Sequence, residues 1–174
     1  DMKDSDIFSQ LVGAYSGLSS DVTATNTSYK ELVQYYCTDW DFILTRAEAN
    51  GFLVTADAGK VSVKAPQVES EPVLTLTYGI DLISFGADVD ATAQFSVVKG
   101  FAWNPTDQAI QEVQAGPNQL TGQGDLAADT LAGVIAPDYF RLQTSVPLDN
   151  STLTDWVKGQ QVKSGLARIR GHAA

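Results

Sequence analysis

Tyr35-Tyr36-Cys37-Thr38-Asp39-Trp40-Asp41-Phe42-Ile43-Leu44-Thr45-Arg46-Ala47-Glu48-Ala49-Asn50-Gly51-Phe52-Leu53-Val54 holds a capped amphipathic helix, its stop signal and the start of a strand. Thr38 and Asp39 are side-chain acceptors suited to the free N–H groups of a first helical turn, and Asp41 adds negative charge at the positive end of the helix dipole. Trp40, Ile43, Leu44 and Ala47 fall at i, i+3, i+4 and i+7. That spacing predicts one apolar stripe against a core, with Asp41, Thr45, Arg46 and Glu48 left in water. Asn50-Gly51 should end the helix, because glycine tolerates left-handed backbone at a C-terminus. Residues 52–56 and 60–63 flank Asp57-Ala58-Gly59, a three-residue connection with glycine where positive φ is wanted, so a β-hairpin is expected next.

Toward the N-terminus, Asp4-Ser5 is placed to cap a helix in which Ile7, Phe8, Leu11, Val12, Tyr15 and Leu18 keep helical spacing. Gly13 and Gly17 each weaken that helix by up to about 1 kcal/mol. Residues 21–28, rich in Thr, Ser and Asn, read as a connector. Tyr29, Leu32, Val33 and Tyr36 repeat the helical spacing in phase with Trp40 and Ile43. Two short helices with a break near 37–39, or one bent helix, are both consistent with this pattern.

Pro66 and Pro72 frame a polar boundary over 65–72, after which the period changes from helical to alternating. Leu74, Leu76 and Tyr78 alternate with Thr75 and Thr77, and Ala93, Phe95, Val97, Phe101 and Trp103 share one face across 92–104, broken by Lys99. Asn104-Pro105-Thr106-Asp107 is a turn, and 108–114 a more polar returning strand. Gly116-Pro117 and 122–124 open a loop-rich section in which Asp125 is placed to cap a helix ending near Ala136-Pro137. Phe140, Leu142, Thr144 and Val146 alternate as a strand. Ser151, with Asp149 and Asn150, starts a helix with a Leu153, Trp156 and Val157 stripe that Gly165 should stop, and 166–170 restarts as extended chain.

The 174 residues, 44% of them hydrophobic, suit one medium domain or two small ones with a real core. A net charge of −10 argues against a duplex-binding surface, which needs clustered Lys and Arg. Lys158, Lys163, Arg168 and Arg170 lie in the last 17 residues with no acid among them, leaving 7 bases against 21 acids in the first 157. Cations at a helix C-terminus explain such a basic face without a ligand. The single cysteine, Cys37, excludes an internal disulfide and is expected to pack beside Tyr36 as a small apolar group. No apolar run reaches the roughly 18 residues of a membrane span, and no charged-then-apolar leader is visible at the start.

Residue types that carry chemistry are sparse. His172 is the only histidine and lies two residues from the last one, where a Ser-His-Asp or Cys-His arrangement would rest on a frayed group. One Cys and one His cannot make the usual structural zinc site. Asp39-Trp40-Asp41 and Asp88-Val89-Asp90 offer carboxylate pairs to Ca²⁺ or Mg²⁺, but capping accounts for the first and a turn beside Gly86 for the second. With 21 acids present, two carboxylates at glycosidase spacing would arise by accident. Gly13-Ala14-Tyr15-Ser16-Gly17 and Gly122-Gln123-Gly124 lack the setting of a phosphate loop. Trp40, Trp103 and Trp156 are sugar-stacking candidates, yet each lies on an apolar helix or strand face where core packing is expected. No catalytic, cofactor-binding or metal-ligating residue is assigned, and no cofactor is expected.

Gln34-Tyr35, Thr38-Asp39-Trp40-Asp41-Phe42-Ile43 and Arg46-Ala47-Glu48-Ala49-Asn50-Gly51, followed by a return strand over 61–63, together resemble the Vgr proteins. These are the Rhs-element Vgr or VgrG spike proteins of bacterial type VI secretion and related contractile injection systems, whose hub portion is similar to phage tail-hub and late-control D proteins. Leu74-Thr75-Leu76-Thr77-Tyr78-Gly79-Ile80-Asp81-Leu82-Ile83-Ser84-Phe85 looks like the family's next strand and bend, and Val97-Val98-Lys99-Gly100-Phe101-Ala102-Trp103-Asn104 like a later strand. The likeness runs over 28–114 and continues only as an order of elements.

The resemblance implies an α+β chain with a helix-hairpin lobe at 1–66, the first strands of a tube-type antiparallel β-barrel at 73–115, a small inserted α+β lobe at 116–165 and a truncated return strand at 166–174. The chain would then be an interior piece of a longer hub. The implied role is structural and non-enzymatic: a homotrimeric spike hub that meets a tube-forming ring protein on one side and a C-terminal spike domain, with effector cargo, on the other. Neither nucleic acid nor a membrane span enters. Such a part is assembled in the bacterial cytoplasm and expelled to the exterior or into a target cell. A spike-associated glycan hydrolase and a carbohydrate-binding module are the alternatives from other functional classes.

Overall fold

The computed structural model describes residues 1–68, 71–72, 74–116 and 126–174. Helix α2 (Asp39–Ala49) forms where the cap pattern places it: Thr38 keeps extended backbone and its Oγ1 accepts the Asp41 N–H at 3.1 Å. Removing that acceptor with Thr38→Ala is expected to cost about 1 kcal/mol, measured as a lower urea midpoint at unchanged slope. Asn50 and Gly51 close the helix, Gly51 at φ 69°. β4 (Leu53–Asp57) and β5 (Lys60–Lys64) follow as a hairpin whose connection is two residues, with Asp57 paired to Lys60. Ala58 and Gly59 both take positive φ, at 45° and 82°, the geometry that matches the twist of the flanking strands.

Helix α1 (Asp4–Gly13) begins on the residue expected to cap it. Lys3 is the cap position, its N–H donating to Asp6 at 3.2 Å, and Asp4 and Ser5 lie buried inside the first turn. The helix stops at Gly13, so Tyr15 and Leu18, expected on its stripe, are exposed. The expected connector holds strand: β2 (Ser19–Val22) runs parallel to β5 in a sheet ordered β2-β5-β4. A two-residue ladder joins β1 (Met2–Lys3) to β3 (Ser28–Tyr29). Phe8 and Val12 of α1, Ile43 and Ala47 of α2, and Val61 and Val63 of β5 form the core between helices and sheet. Trp40 and Leu44 sit at its rim, 44% and 39% exposed.

The helix expected over 29–36 does not form; residues 30–38 carry no helix, and Tyr36 takes φ 48°. Val33, Tyr35, Tyr36 and Cys37 are exposed, which also corrects the packed role expected for the cysteine. Helical spacing stabilises little without a surface to bury against, and α1 and the sheet already cover the inner face of α2.

The second sheet is ordered β8-β7-β9, with β7 (Val98–Asn104) central, β8 (Ala109–Ala115) antiparallel and β9 (Phe140–Thr144) parallel to it. Helix α4 (Asn150–Leu166), capped by Asp149 accepting from the Thr152 N–H at 2.7 Å, packs on β7 and β8. It continues through Gly165, the expected stop. Val98, Gly100 and Ala102 face the helix, so β7 buries the parity opposite to the one its large residues suggested. Gly100 gives the reason. A Cβ there would stand 2.5 Å from Val157 Cγ2 and 2.9 Å from Leu153 Cδ1, so a strand face of small residues admits the helix while Phe101 and Trp103 point away.

Leu74, Leu76 and Tyr78 form no ladder strand; they are exposed, and Tyr78 makes only an isolated bridge to Leu82. The ladder comes later, where β6 (Phe85–Val89) pairs antiparallel with β10 (Ile169–Ala173). Asp88, expected in a turn, therefore lies in a strand. Helix α3 (Ala128–Ile135) ends at Ala136 with φ 49°, near the expected Ala136-Pro137 stop. Its cap is Ala127, which provides no side-chain acceptor; Asp125 and the glycines at 122 and 124 lie outside the described residues. The fold is α+β, and among the described residues the strands form four open sheets with no closed barrel.

Candidate assembly surfaces

The residues singled out for chemistry are dispersed. His172 sits in β10 opposite Gly86, and Cys37 lies on an exposed loop. Asp39 accepts from Gln34 Nε2 at 2.8 Å and the Tyr15 hydroxyl at 2.7 Å, contacts that hold its carboxyl below the usual range. Asp90 folds back on Thr92, accepting from both its N–H and its hydroxyl, Thr92's hydroxyl first in effect, and is likewise held low. The Asp90 contacts are local to a turn, whereas Asp39, expected to cap α2, instead binds side chains outside the helix and leaves the cap to Thr38. Among the described residues no three His, Cys, Asp or Glu side chains converge as a metal site would require. The basic C-terminal residues are separated: Lys163 pairs with Glu48 of α2, and Arg168 donates to the Leu126 carbonyl at 3.2 Å. The expected core role of the tryptophans is corrected: Trp40 and Trp103 are each 44% exposed, and Trp156 is half-buried and lines a cavity of about 410 Å³ beside Tyr29, Arg46 and Asn50.

One buried polar cluster joins the N-terminus to the central helix. Asp4 Oδ1 accepts from Arg46 Nε and Oδ2 from Arg46 Nη2, both at 2.8 Å, and Asn50 Nδ2 donates to Oδ2 at 2.8 Å. The Asp4 and Arg46 side chains are 1% and 17% exposed. Arg46, read as a wet position, is therefore a core anchor, with its guanidinium 4.8 Å from the Tyr29 ring centroid. Burial works against its charge, but the Asp4 contacts outweigh that and raise its pKa further. The i, i+4 spacing of Arg46 and Asn50 was a local signal of a shared face; nothing local pointed to Asp4, 42 residues away.

The two sheet units meet through backbone. Gly159 of α4 lies against the end of α2, where a Cβ would stand 2.9 Å from both the Glu48 carbonyl oxygen and the Gly51 nitrogen. Gln94 Nε2 donates to the Ser164 carbonyl at 2.7 Å, and Ser164 Oγ to the Ala93 carbonyl at 2.6 Å, which pins the far half of α4 to the strand-side loop. These contacts hold two apolar surfaces in fixed orientation.

The first surface is the β6–β10 ribbon. Its register pairs Phe85 with Ala173, Ala87 with Gly171 and Val89 with Ile169 on one face, and Gly86 with His172 and Asp88 with Arg170 on the other. One face is thus apolar throughout and the other polar. Phe85, Val89 and Ile169 are exposed, and the two strands pack chiefly on each other. An isolated two-stranded ribbon is marginal in water, so this face calls for a cover. Leu74, Leu76, Tyr78, Ile80 and Ile83, which precede β6 in the chain, are also exposed. The second surface is the face of the β8-β7-β9 sheet turned away from α4, carrying Lys99, Phe101, Trp103, Ile110 and Arg141.

A family model described as the Alg8 N-terminal domain matches residues 1–174. No curated protein matches the chain. Among solved structures, a tail protein from Neisseria meningitidis MC58 is similar with a TM-score of 0.61 and 15% identity, over 99% of this chain and 50% of that one. The 43 kDa tail protein of prophage MuSo2 from Shewanella oneidensis is similar with a TM-score of 0.51 and 12% identity, over 95% of this chain and 46% of that one. The chain thus spans about half the length of these structures and shares the fold of tail proteins.

Proposed function

We propose that this chain, which belongs to the family described as the Alg8 N-terminal domain, is a structural hub element of a trimeric puncturing spike, a reading supported by its tail-protein fold and by the Vgr-like sequence pattern over 28–114. The apparatus is a contractile injection or type VI secretion system, and the element joins the tube to the spike tip. The observation that carries this reading is the β6–β10 ribbon, whose apolar face lacks an internal cover among the described residues. In the full-length protein that face joins a barrel begun by 73–115 and resumed at 166–174, with 1–66 as the helix-hairpin lobe and 116–165 as an insertion whose β9 and α4 pack back on β7. A tube-forming ring protein and a C-terminal spike domain with its cargo are the partners of this reading. Assembly takes place in the bacterial cytoplasm and ends in expulsion. The work is mechanical, done by shape and buried subunit contacts.

An obligate interface of this kind buries upward of about 2,000 Å² and is rich in apolar residues. The full-length protein is expected to run as a trimer by size exclusion with light scattering, and Phe85→Ser with Val89→Ser and Ile169→Ser to abolish that trimer. A full-length protein that stays monomeric at every concentration would reject the hub reading.

A further inference from the structure

We infer that the open face of the β8-β7-β9 sheet is a docking surface for an acidic, partly apolar segment of another protein. It is separate from the ribbon and does not depend on the hub reading. The strand register places Trp103 directly opposite Ile110, and these side chains are 44% and 67% exposed. At the other end of the strand, Lys99 is the register partner of Arg141. The Lys99 ammonium is already matched by Glu112 at 2.7 Å and lies 5.2 Å from the Tyr139 ring centroid. Arg141 differs: its guanidinium lies 4.4 Å from the Phe101 ring centroid, and among the described residues no carboxylate pairs with it.

A guanidinium held over an aromatic ring loses little freedom on binding and keeps its N–H groups available for a carboxylate, which accepts two at once. The face carries two cations and one acid in a chain of net charge −10, so its local balance is opposite to that of the whole molecule. Phosphate-rich ligands are disfavoured by that overall charge, whereas a single acidic side chain is not. Exposed Trp103, Tyr139 and Arg141 with a half-buried Phe101 are residue types enriched at protein interfaces. From Phe101, over which the Arg141 guanidinium lies, to Trp103 is two residues, roughly 7 Å at about 3.3 Å per strand residue. The matching segment is extended, with an apolar side chain over Trp103 and Ile110 and a carboxylate two residues away, at the Arg141 guanidinium over Phe101.

The test uses the ¹⁵N-labelled chain and a capped synthetic decapeptide carrying leucine and, two residues on, glutamate. Its counterpart has glutamine in place of glutamate. Shifts are expected at the Trp103 indole N–H and the Arg141 Nε–H. Affinity should fall about tenfold for the glutamine peptide and for Arg141→Gln with the glutamate peptide, the weight of one charge-assisted pair. Arg141→Glu should instead favour a lysine peptide. Arg141 is exposed, so an unchanged unfolding midpoint will show that these variants fold. Equal affinity for the two peptides, shifts confined to the ribbon, or no binding would overturn the assignment. Self-association abolished by Arg141→Gln would also overturn it, by giving the face to a second copy of the chain.

Discussion

Asp4→Ala is expected to destabilise the chain by about 3 kcal/mol, the low end of the range for breaking a buried ion pair. The substitution strands Arg46, whose side chain is 17% exposed, with no anion, and it removes the acceptor of Asn50 Nδ2 at 2.8 Å. The loss is an uncompensated charge more than a missing attraction, and the residual exposure of Arg46 is why the lower figure is chosen. Asp4→Ala combined with Arg46→Met should therefore recover most of the stability, because it removes both charges together. Urea unfolding followed by circular dichroism reads the effect. A single-variant loss below about 1 kcal/mol would mean that water reaches Arg46 freely and that the clamp is not buried in solution.

Gly159→Ala is the second large effect, and its sign is what makes it informative. In an open helix interior, replacing glycine with alanine stabilises by about 1 kcal/mol. At Gly159 the new Cβ would meet the Glu48 carbonyl oxygen and the Gly51 nitrogen at 2.9 Å, and the Ala49 carbonyl oxygen at 3.1 Å. All three are backbone atoms that cannot rotate away, so α4 must back off from α2. The expected outcome is a net loss of about 1 to 3 kcal/mol, with the Lys163–Glu48 pair weakened and the contact between the two sheet units loosened. Gly133 in α3, with nothing within 4 Å of its added Cβ, is the matched control, and Gly133→Ala should stabilise by roughly 1 kcal/mol. If both substitutions stabilise, the α2–α4 contact is looser than the geometry shows.

Local signals carried much of this chain. The cap at Thr38, the stop at Gly51, the hairpin at Ala58-Gly59 and the cap at Asp149 all rest on hydrogen bonds or φ preferences within a few residues. Failures clustered where a face had to be chosen. β7 alternates on both parities, with large side chains at Phe101 and Trp103 and small ones at Gly100 and Ala102, and size suggested the wrong side. Residues 29–36 had helical spacing but no surface on which to spend it, and Leu74, Leu76 and Tyr78 had strand spacing but no neighbouring strand among the described residues. The exposed apolar faces were hidden for the same reason. An exposed Trp103 and a core tryptophan share one local pattern, and only the position of α4 separates them.

By itself the sequence determined that α2 and its hairpin exist, where they begin and end, and that helices and strands would mix, because caps and turns are satisfied by neighbouring residues. Tertiary structure alone decided which face of β7 is core, that Arg46 is buried on Asp4, and that apolar residues of the β6–β10 ribbon and of the open sheet face are exposed. Those outcomes depend on groups dozens of residues apart competing for the same surface. Burial is a property of the whole packed chain, and no local period records which side another element will cover.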